Sequence, residues 1–137
     1  MRTTLKTSTA QRQSNASSRT GRDGEAAAAR VLEAQGYRIL SRNCRLSGAE
    51  LDIVAYEGGC LVVIEVKTRR SRQFGSPLEA VDSRKQQRLI AAALEYMTTH
   101  KLELPLRFDV AAVIVEQRAF RVEIVRNAFE GSEAMSL

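Results

Sequence analysis

Residues 50–67 read ELDIVAYEGGCLVVIEVK. Two runs of strand-forming residues flank Gly58 and Gly59, and paired glycines tolerate the positive φ that a two-residue hairpin turn demands. A turn there pairs Glu57 with Cys60 and makes the residue numbers of every opposed pair sum to 117. Asp52 then falls opposite Glu65, and Glu50 opposite Lys67. Residues two apart on a strand share a face. Glu50, Asp52, Glu65 and Lys67 are therefore expected on one face, at the open end of the hairpin. Leu51, Ile53, Ala55, Val62, Ile64 and Val66 make up the other face. All six are apolar, so burial of that face fixes the register.

Two carboxylates opposed across a strand pair lie about 4.5–5.5 Å apart at Cβ and repel each other. A shared proton, the Lys67 ammonium or a bound cation can offset that cost. Hard oxygen donors at this spacing suit Mg²⁺ or Mn²⁺. On the functional reading, Asp52 and Glu65 hold a divalent ion, the Val66 carbonyl adds a ligand, and Lys67 orients and helps deprotonate an attacking water. On the structural reading, the four residues form a charge network on a solvated strand end. The alternation alone leaves both readings open.

Outward from the hairpin, the chain reads as one domain. A length of 137 residues accommodates a single core without disulfides or a structural metal. An Ala-rich helix is expected over about 22–35, stopped by Gly36. A strand over Tyr37–Cys44 precedes the hairpin strands Glu50–Tyr56 and Cys60–Arg69. A polar loop follows, in which Phe74-Gly75-Ser76-Pro77 is a turn. Ser83 can cap a helix running to about Thr99, with Leu89, Ala92, Ala93 and Tyr96 inward. Strands Leu106–Val115 and Ala119–Arg126 close the domain. The expected order is α-β-β-β-α-β-β, an α/β fold with a mixed, mainly antiparallel central sheet flanked by helices. Residues 1–20 carry Ser, Thr and basic residues with little apolar content, and are expected to be a disordered basic arm. Residues 21–130 form the domain, and 131–137 a flexible C-terminus.

The charge is unevenly distributed. The net +5 arises in the first 22 residues, where Arg2, Lys6, Arg12, Arg19 and Arg22 are the only charged groups. The remainder carries 16 charges of each sign. A pI of about 9.7 is thus weak support for a nucleic-acid-binding core. Local clustering says more: Lys67, Arg69, Arg70, Arg72, Arg84, Lys85 and Arg88 are opposed between Val66 and Arg88 only by Glu79 and Asp82. The basic groups can take phosphates, or they can be a solvated loop and helix face. Cys44 and Cys60 lack CxxC spacing and read as reduced thiols. The sole histidine, His100, leaves zinc or a Ser–His–Asp triad with almost no support. Arg107 and Asp109 share a strand face and read as structural. No run approaches the roughly 20 apolar residues of a membrane span, and no secretory signal stands near the start, so a cytoplasmic location is expected.

Asp52, twelve residues, then Glu65-Val66-Lys67 resembles the D…E-X-K motif of the PD-(D/E)XK nuclease superfamily, with Leu51 in place of its proline. More closely, the chain resembles the YraN-like bacterial family, related in fold to archaeal Holliday junction resolvases. The shared stretches are Gly21-Arg22-Asp23-Gly24-Glu25, Gly36-Tyr37, Arg42-Asn43, Gly48-Ala49-Glu50-Leu51-Asp52-Ile53-Val54-Ala55 and Val63-Ile64-Glu65-Val66-Lys67-Thr68-Arg69. Phe74-Gly75-Ser76-Pro77, Lys85, Arg107-Phe108-Asp109-Val110 and Asn127-Ala128-Phe129 continue them. Ala49 departs from the glycine more common there.

The resemblance implies a restriction-endonuclease-like core and a catalytic set of Asp52, Glu65, Lys67 and Glu25, with Glu50 supporting. Its metal, Mg²⁺ or Mn²⁺, would be held by Asp52, Glu65, Val66 and Glu25. Glu25 enters only through the resemblance, since an acid near a helix start is also favoured by the helix dipole. The implied partner is nucleic acid, DNA ahead of RNA, bound by Arg69, Arg70, Arg72, Arg84, Lys85 and Arg88. The implied activity is endonucleolytic phosphodiester hydrolysis, with branched or flapped DNA as candidate substrates. The rivals are a non-catalytic nucleic-acid-binding module and a protein-interaction subunit of a DNA-processing assembly that forms a homodimer through a sheet edge.

Overall fold

The computed structural model describes the backbone of residues 2–6, 16–70 and 81–129. Its elements are β1 (Arg2–Lys6), α1 (Ala16–Ala34), β2 (Arg38–Leu46), β3 (Ala49–Glu57), β4 (Cys60–Arg69), α2 (Ser83–Thr99), β5 (Leu106–Glu116) and β6 (Ala119–Phe129). From α1 onward this is the expected α/β order. The described strands form one sheet in the order β1-β6-β5-β4-β3-β2. Every pairing is antiparallel except β4 with β5. That parallel step needs a crossover, and α2 lies in it.

The expected boundaries shift at the N-terminus. Arg2–Lys6, placed by sequence in a disordered arm, pairs with the outer edge of β6, Arg2 opposite Glu123 and Lys6 opposite Ala119. Helix α1 also begins at Ala16, earlier than the expected start near Arg22. Edge pairing is made by backbone N–H and C=O groups, so it is open to a segment that has little to bury. The expectations for Arg72, the Phe74–Pro77 turn and the C-terminal 131–137 lie outside the described residues.

Each helix covers one face of the sheet. Ala27, Ala28, Val31 and Leu32 of α1 pack with Ile53, Ala55, Val62, Ile64, Ala111, Val113 and Val122. The alanines let the helix lie close to the sheet. Leu89, Ile90, Ala92, Ala93 and Tyr96 of α2 pack with Leu51, Val54, Leu61, Val63, Phe108 and Val110 on the other face. Burial on both faces accounts for the nearly continuous apolar runs in β4 and β5.

The helix ends explain how the chain turns into its strands. Gly36 (φ 96°) closes α1: its N–H donates to the Glu33 carbonyl and that of Tyr37 to the Leu32 carbonyl, satisfying the last turn. Asp82, not Ser83, caps α2, accepting the Lys85 N–H at 2.9 Å. Below the hairpin turn a buried polar network ties β3, β5 and β6 to Tyr37, which precedes β2. Asp109 is fully buried and accepts from the Tyr37 hydroxyl (2.6 Å), the Arg107 guanidinium (3.0 Å) and the Asn127 N–H (2.8 Å). Arg107 also reaches Glu57 at 2.6 Å. The structural reading of Arg107 and Asp109 therefore agrees with this geometry. A buried carboxylate is tolerable only when paired and hydrogen-bonded in this way.

Candidate active site

The hairpin keeps its expected register from Glu57–Cys60 to Ile53–Ile64. Gly58 and Gly59 both have positive φ (62° and 78°), as a tight turn of this type requires. The ladder then stops. Asp52–Glu65 and Glu50–Lys67 are not ladder pairs. Strand β4 stays bonded to β5 from Leu61 to Arg69, Glu65 beside Val110 and Arg69 beside Ile114, so it is β3 that peels away.

The departure has a local cause. Asn43, beside Asp52 on the neighbouring strand β2, sits in the left-handed region (φ 54°), and the β2–β3 ladder skips that pair. Side-chain alternation breaks there. Strict alternation predicts Leu51 on the face of Ile53, but Leu51 packs in the α2 cluster with Val54. Asp52 turns into the gap, where its Oδ2 accepts the Val66 N–H at 2.8 Å. The N–H and C=O of one strand residue point to the same side. The Val66 carbonyl thus faces the same gap.

Asp52 and Glu65 come together at this gap. Both line a cavity of about 240 Å³ with Gly48, Ala49, Glu50, Lys85, Arg88 and Leu89. Glu65 is buried, at 5% exposure. Lys67 Nζ lies 3.3 Å from Glu65 Oε2, and Lys85 Nζ pairs with the same oxygen. Sequence reasoning assigns Lys85 to phosphate binding and misses this contact, because nothing local in the first turn of α2 points to a residue on β4.

The electrostatics are those of a crowded acidic site. Burial, then the charge of Glu65, pushes the Asp52 carboxyl up to about 7, against the opposing effect of the Val66 N–H. A hydrogen bond between the two carboxyls adds to the rise. Burial also lowers the Lys67 pKa; donation from the Lys85 ammonium to the neutral Lys67 amine and repulsion between the two charged forms lower it further, while Glu65 works the other way. Lys85 is opposed by burial but is held above its ordinary value by Glu65, Lys67 and Asp52.

Glu25 approaches from α1. Burial and then Glu50 raise its carboxyl, offset in part by Arg42 and by a hydrogen bond with Asn43. Asn43 is a second residue whose part the sequence does not reveal. Gly24 brings α1 this close: a Cβ built there would lie 2.5 Å from Thr68 Oγ1, a distance side chains do not tolerate. Glu50 is exposed at the rim. Arg69 and Arg70 at the end of β4 and Arg84 and Arg88 on α2 are exposed, and Arg88 lines the cavity.

The donor set fits a divalent cation in part. Two carboxyls sharing a hydrogen bond, with a backbone carbonyl facing the same gap, offer hard oxygen donors in place of a proton. Among the described residues, no three Asp, Glu, His or Cys side chains converge closely enough to hold an ion by themselves. Glu25 lies near enough for its charge to act on Asp52, and it feels Glu50 and Glu65 in turn. No described helix is long and apolar enough to cross a membrane.

Comparison with known proteins agrees with the resemblance. The profile of the Uncharacterised protein family UPF0102 matches residues 24–113. The UPF0102 protein of Desulforapulum autotrophicum is 46% identical over 85% of this chain and 97% of its own length. That of Symbiobacterium thermophilum is 46% identical over 82% and 98%, and that of Bacteroides thetaiotaomicron 45% over 80% and 90%. A solved protein of unknown function, AF1548, aligns at 21% identity and a TM-score of 0.37 over 70% of this chain and 49% of that one, too distant to carry an argument. The match from the Gly24-Glu25 pair through both hairpin strands to Val113 of β5, together with these relatives, places the chain in the bacterial family UPF0102.

Proposed function

We propose that this protein is a metal-dependent nuclease that hydrolyses nucleic-acid phosphodiesters, DNA ahead of RNA, with branched or flapped DNA as candidate substrates. One observation supports it above the rest: β3 leaves β4 at the point where Asp52 meets Glu65, which puts two carboxyls into an open cavity, one of them bonded to the Val66 N–H. Holding these charges together costs stability, and a fold that retains such a site spends that cost on function.

Mg²⁺ or Mn²⁺, held by Asp52, Glu65 and the Val66 carbonyl with Glu25 beside them, would supply Lewis acidity and a more acidic water. Lys67 is the residue suited to the proton. Its ammonium is depressed by burial and by Lys85, and its Nζ lies at the cavity carboxylate. It can orient a water and accept its proton more readily than an exposed lysine. Arg69, Arg70, Arg84, Lys85 and Arg88 would hold the phosphate backbone without reading sequence. A cytoplasmic location accords with such a substrate.

The test is single-turnover cleavage with Mn²⁺ on a panel of single-stranded, duplex, flap and four-way-junction DNA. Lys67→Ala should fold, bind metal and bind DNA, yet cut roughly a hundredfold more slowly or worse. Lys67→Arg should not rescue it, because a guanidinium stays protonated. A parent protein that binds the panel and cuts none of it would instead favour the non-catalytic binding module. One that binds neither metal nor DNA would favour the interaction subunit.

A further inference from the structure

We infer that Lys85 is a resident counter-ion for Glu65: it occupies the carboxylate until a divalent cation displaces it, and then serves the substrate phosphate. The inference rests on the nuclease reading and adds a division of labour between the two lysines.

Glu65 is the most enclosed acid of the cavity, with its side chain 6% exposed, and a buried carboxylate needs a positive partner. It has two. Lys67 Nζ is 3.3 Å from Oε2, and Lys85 Nζ pairs with the same atom. Two ammonium groups on one oxygen repel each other and exceed what a single carboxylate requires. They differ in freedom. Lys67 is anchored two residues away on the same strand, with its side chain 19% exposed. Lys85 comes from another element, its side chain is 32% exposed, and its flexible four-carbon stem can swing.

The backbone under Lys85 is fixed. Asp82 accepts the Lys85 N–H at 2.9 Å, so the first turn of α2 stands at the cavity lip and only the side chain is left to move. An ion placed between Asp52 and Glu65 brings two positive charges to the oxygen that Lys85 holds. Repulsion and loss of the partner both drive the lysine outward. Arg88, one turn along α2, lines the same cavity, so the displaced ammonium stays where a bound phosphate would lie.

Removing Lys85 should therefore have effects of opposite sign on the two ligands. Mn²⁺ titrations by calorimetry, on the full-length protein without nucleic acid, would compare the parent with Lys85→Met, Lys85→Arg and Arg88→Met. Lys85→Met should bind Mn²⁺ about tenfold more tightly, the scale of one charge-assisted contact removed from competition. Lys85→Arg should stay near the parent. Arg88→Met removes a charge from the same cavity and should tighten binding by much less. DNA binding in Ca²⁺ should be weaker for Lys85→Met than for the parent. Equal tightening in Lys85→Met and Arg88→Met would reduce the effect to general potential and overturn the inference, as would weaker Mn²⁺ binding by Lys85→Met. If the parent binds Mn²⁺ and Lys85→Met matches it, the inference alone falls. If neither the parent nor any variant binds, the nuclease reading falls with it.

Discussion

Asp52 carries its charge where the fold is least suited to hold it. Burial and Glu65 raise its carboxyl from an ordinary 3.8 to about 7. The folded state thus keeps a proton that the unfolded chain has already lost across that window. Folding takes up the proton, so the contribution of Asp52 to stability is full below the lower value and declines as pH rises to the upper one. An asparagine in its place would have no charge to bury and could still accept the Val66 N–H through its amide oxygen. Asp52→Asn should therefore melt close to the parent in acid and higher than the parent at neutral pH and above, by ~5 °C or more. The same substitution should abolish Mn²⁺ binding. Melting curves of both proteins across this range check it. A Tm difference that does not grow with pH would mean that the lysines already neutralise the aspartate. Gaining stability while losing a ligand is the trade expected of a functional carboxylate.

At the scale of elements, the site depends on how closely α1 approaches β4. Gly24 meets Thr68, the residue after Lys67, with no room for a methyl group, and Glu25 follows on the same turn. Gly24→Ala should push the start of α1 off the strand. Helix propensity alone favours alanine by about 1 kcal/mol, so the stability change should be small. Cleavage should drop by roughly tenfold, as Glu25 and the strand end move apart. Removing the obstacle tests the cause: Thr68→Ala leaves only the Thr68 Cβ position, 3.5 Å from the added methyl, which is ordinary contact. Gly24→Ala combined with Thr68→Ala should recover activity relative to Gly24→Ala alone, and a double mutant no better than the single would place the damage elsewhere. The same elements show how far the sequence can be read. The hairpin register is legible because two glycines fix the turn and alternation fixes the faces. Where β3 parts from β4 is not, because it depends on β5 holding β4 flat and on a left-handed Asn43 in β2, both distant in sequence. The pairing of Arg2–Lys6 with β6 is hidden for a related reason: it draws on backbone groups and leaves no side-chain pattern. Asp52, Glu65 and Lys67 can be found because they lie on one hairpin, whereas the Lys85–Glu65 contact spans two elements.

At the scale of the whole molecule, the sheet separates two tasks. One end of the hairpin is locked by the buried Asp109 network, and the other opens into the cavity. Beyond the first 22 residues the chain carries equal numbers of acids and bases, so any attraction for nucleic acid must come from placement and not from net charge. Arg69 and Arg70 leave the end of β4, and Arg84 and Arg88 stand on the first two turns of α2. All four are exposed. On the nuclease reading they border the scissile phosphate on two sides. Each phosphate contact releases condensed counterions from duplex DNA, so the slope of log affinity against log salt should shrink by ~0.9 for every contact removed. Replacing Arg70 and Arg88 by alanine should weaken binding of duplex and junction DNA alike and flatten the slope by about two. The measurement is a salt series in Ca²⁺, where binding is read without turnover. The leading basic segment offers an internal comparison: neutralising Arg2 and Lys6 should also flatten the slope but leave single-turnover cleavage at saturating enzyme unchanged, since those residues lie on the far edge of the sheet from β3. Arginines that border the reacting phosphate should lower both. A slope that responds only to the leading segment would leave the cavity without a backbone-binding rim, and the substrate would then have to reach Asp52 and Glu65 by some other surface.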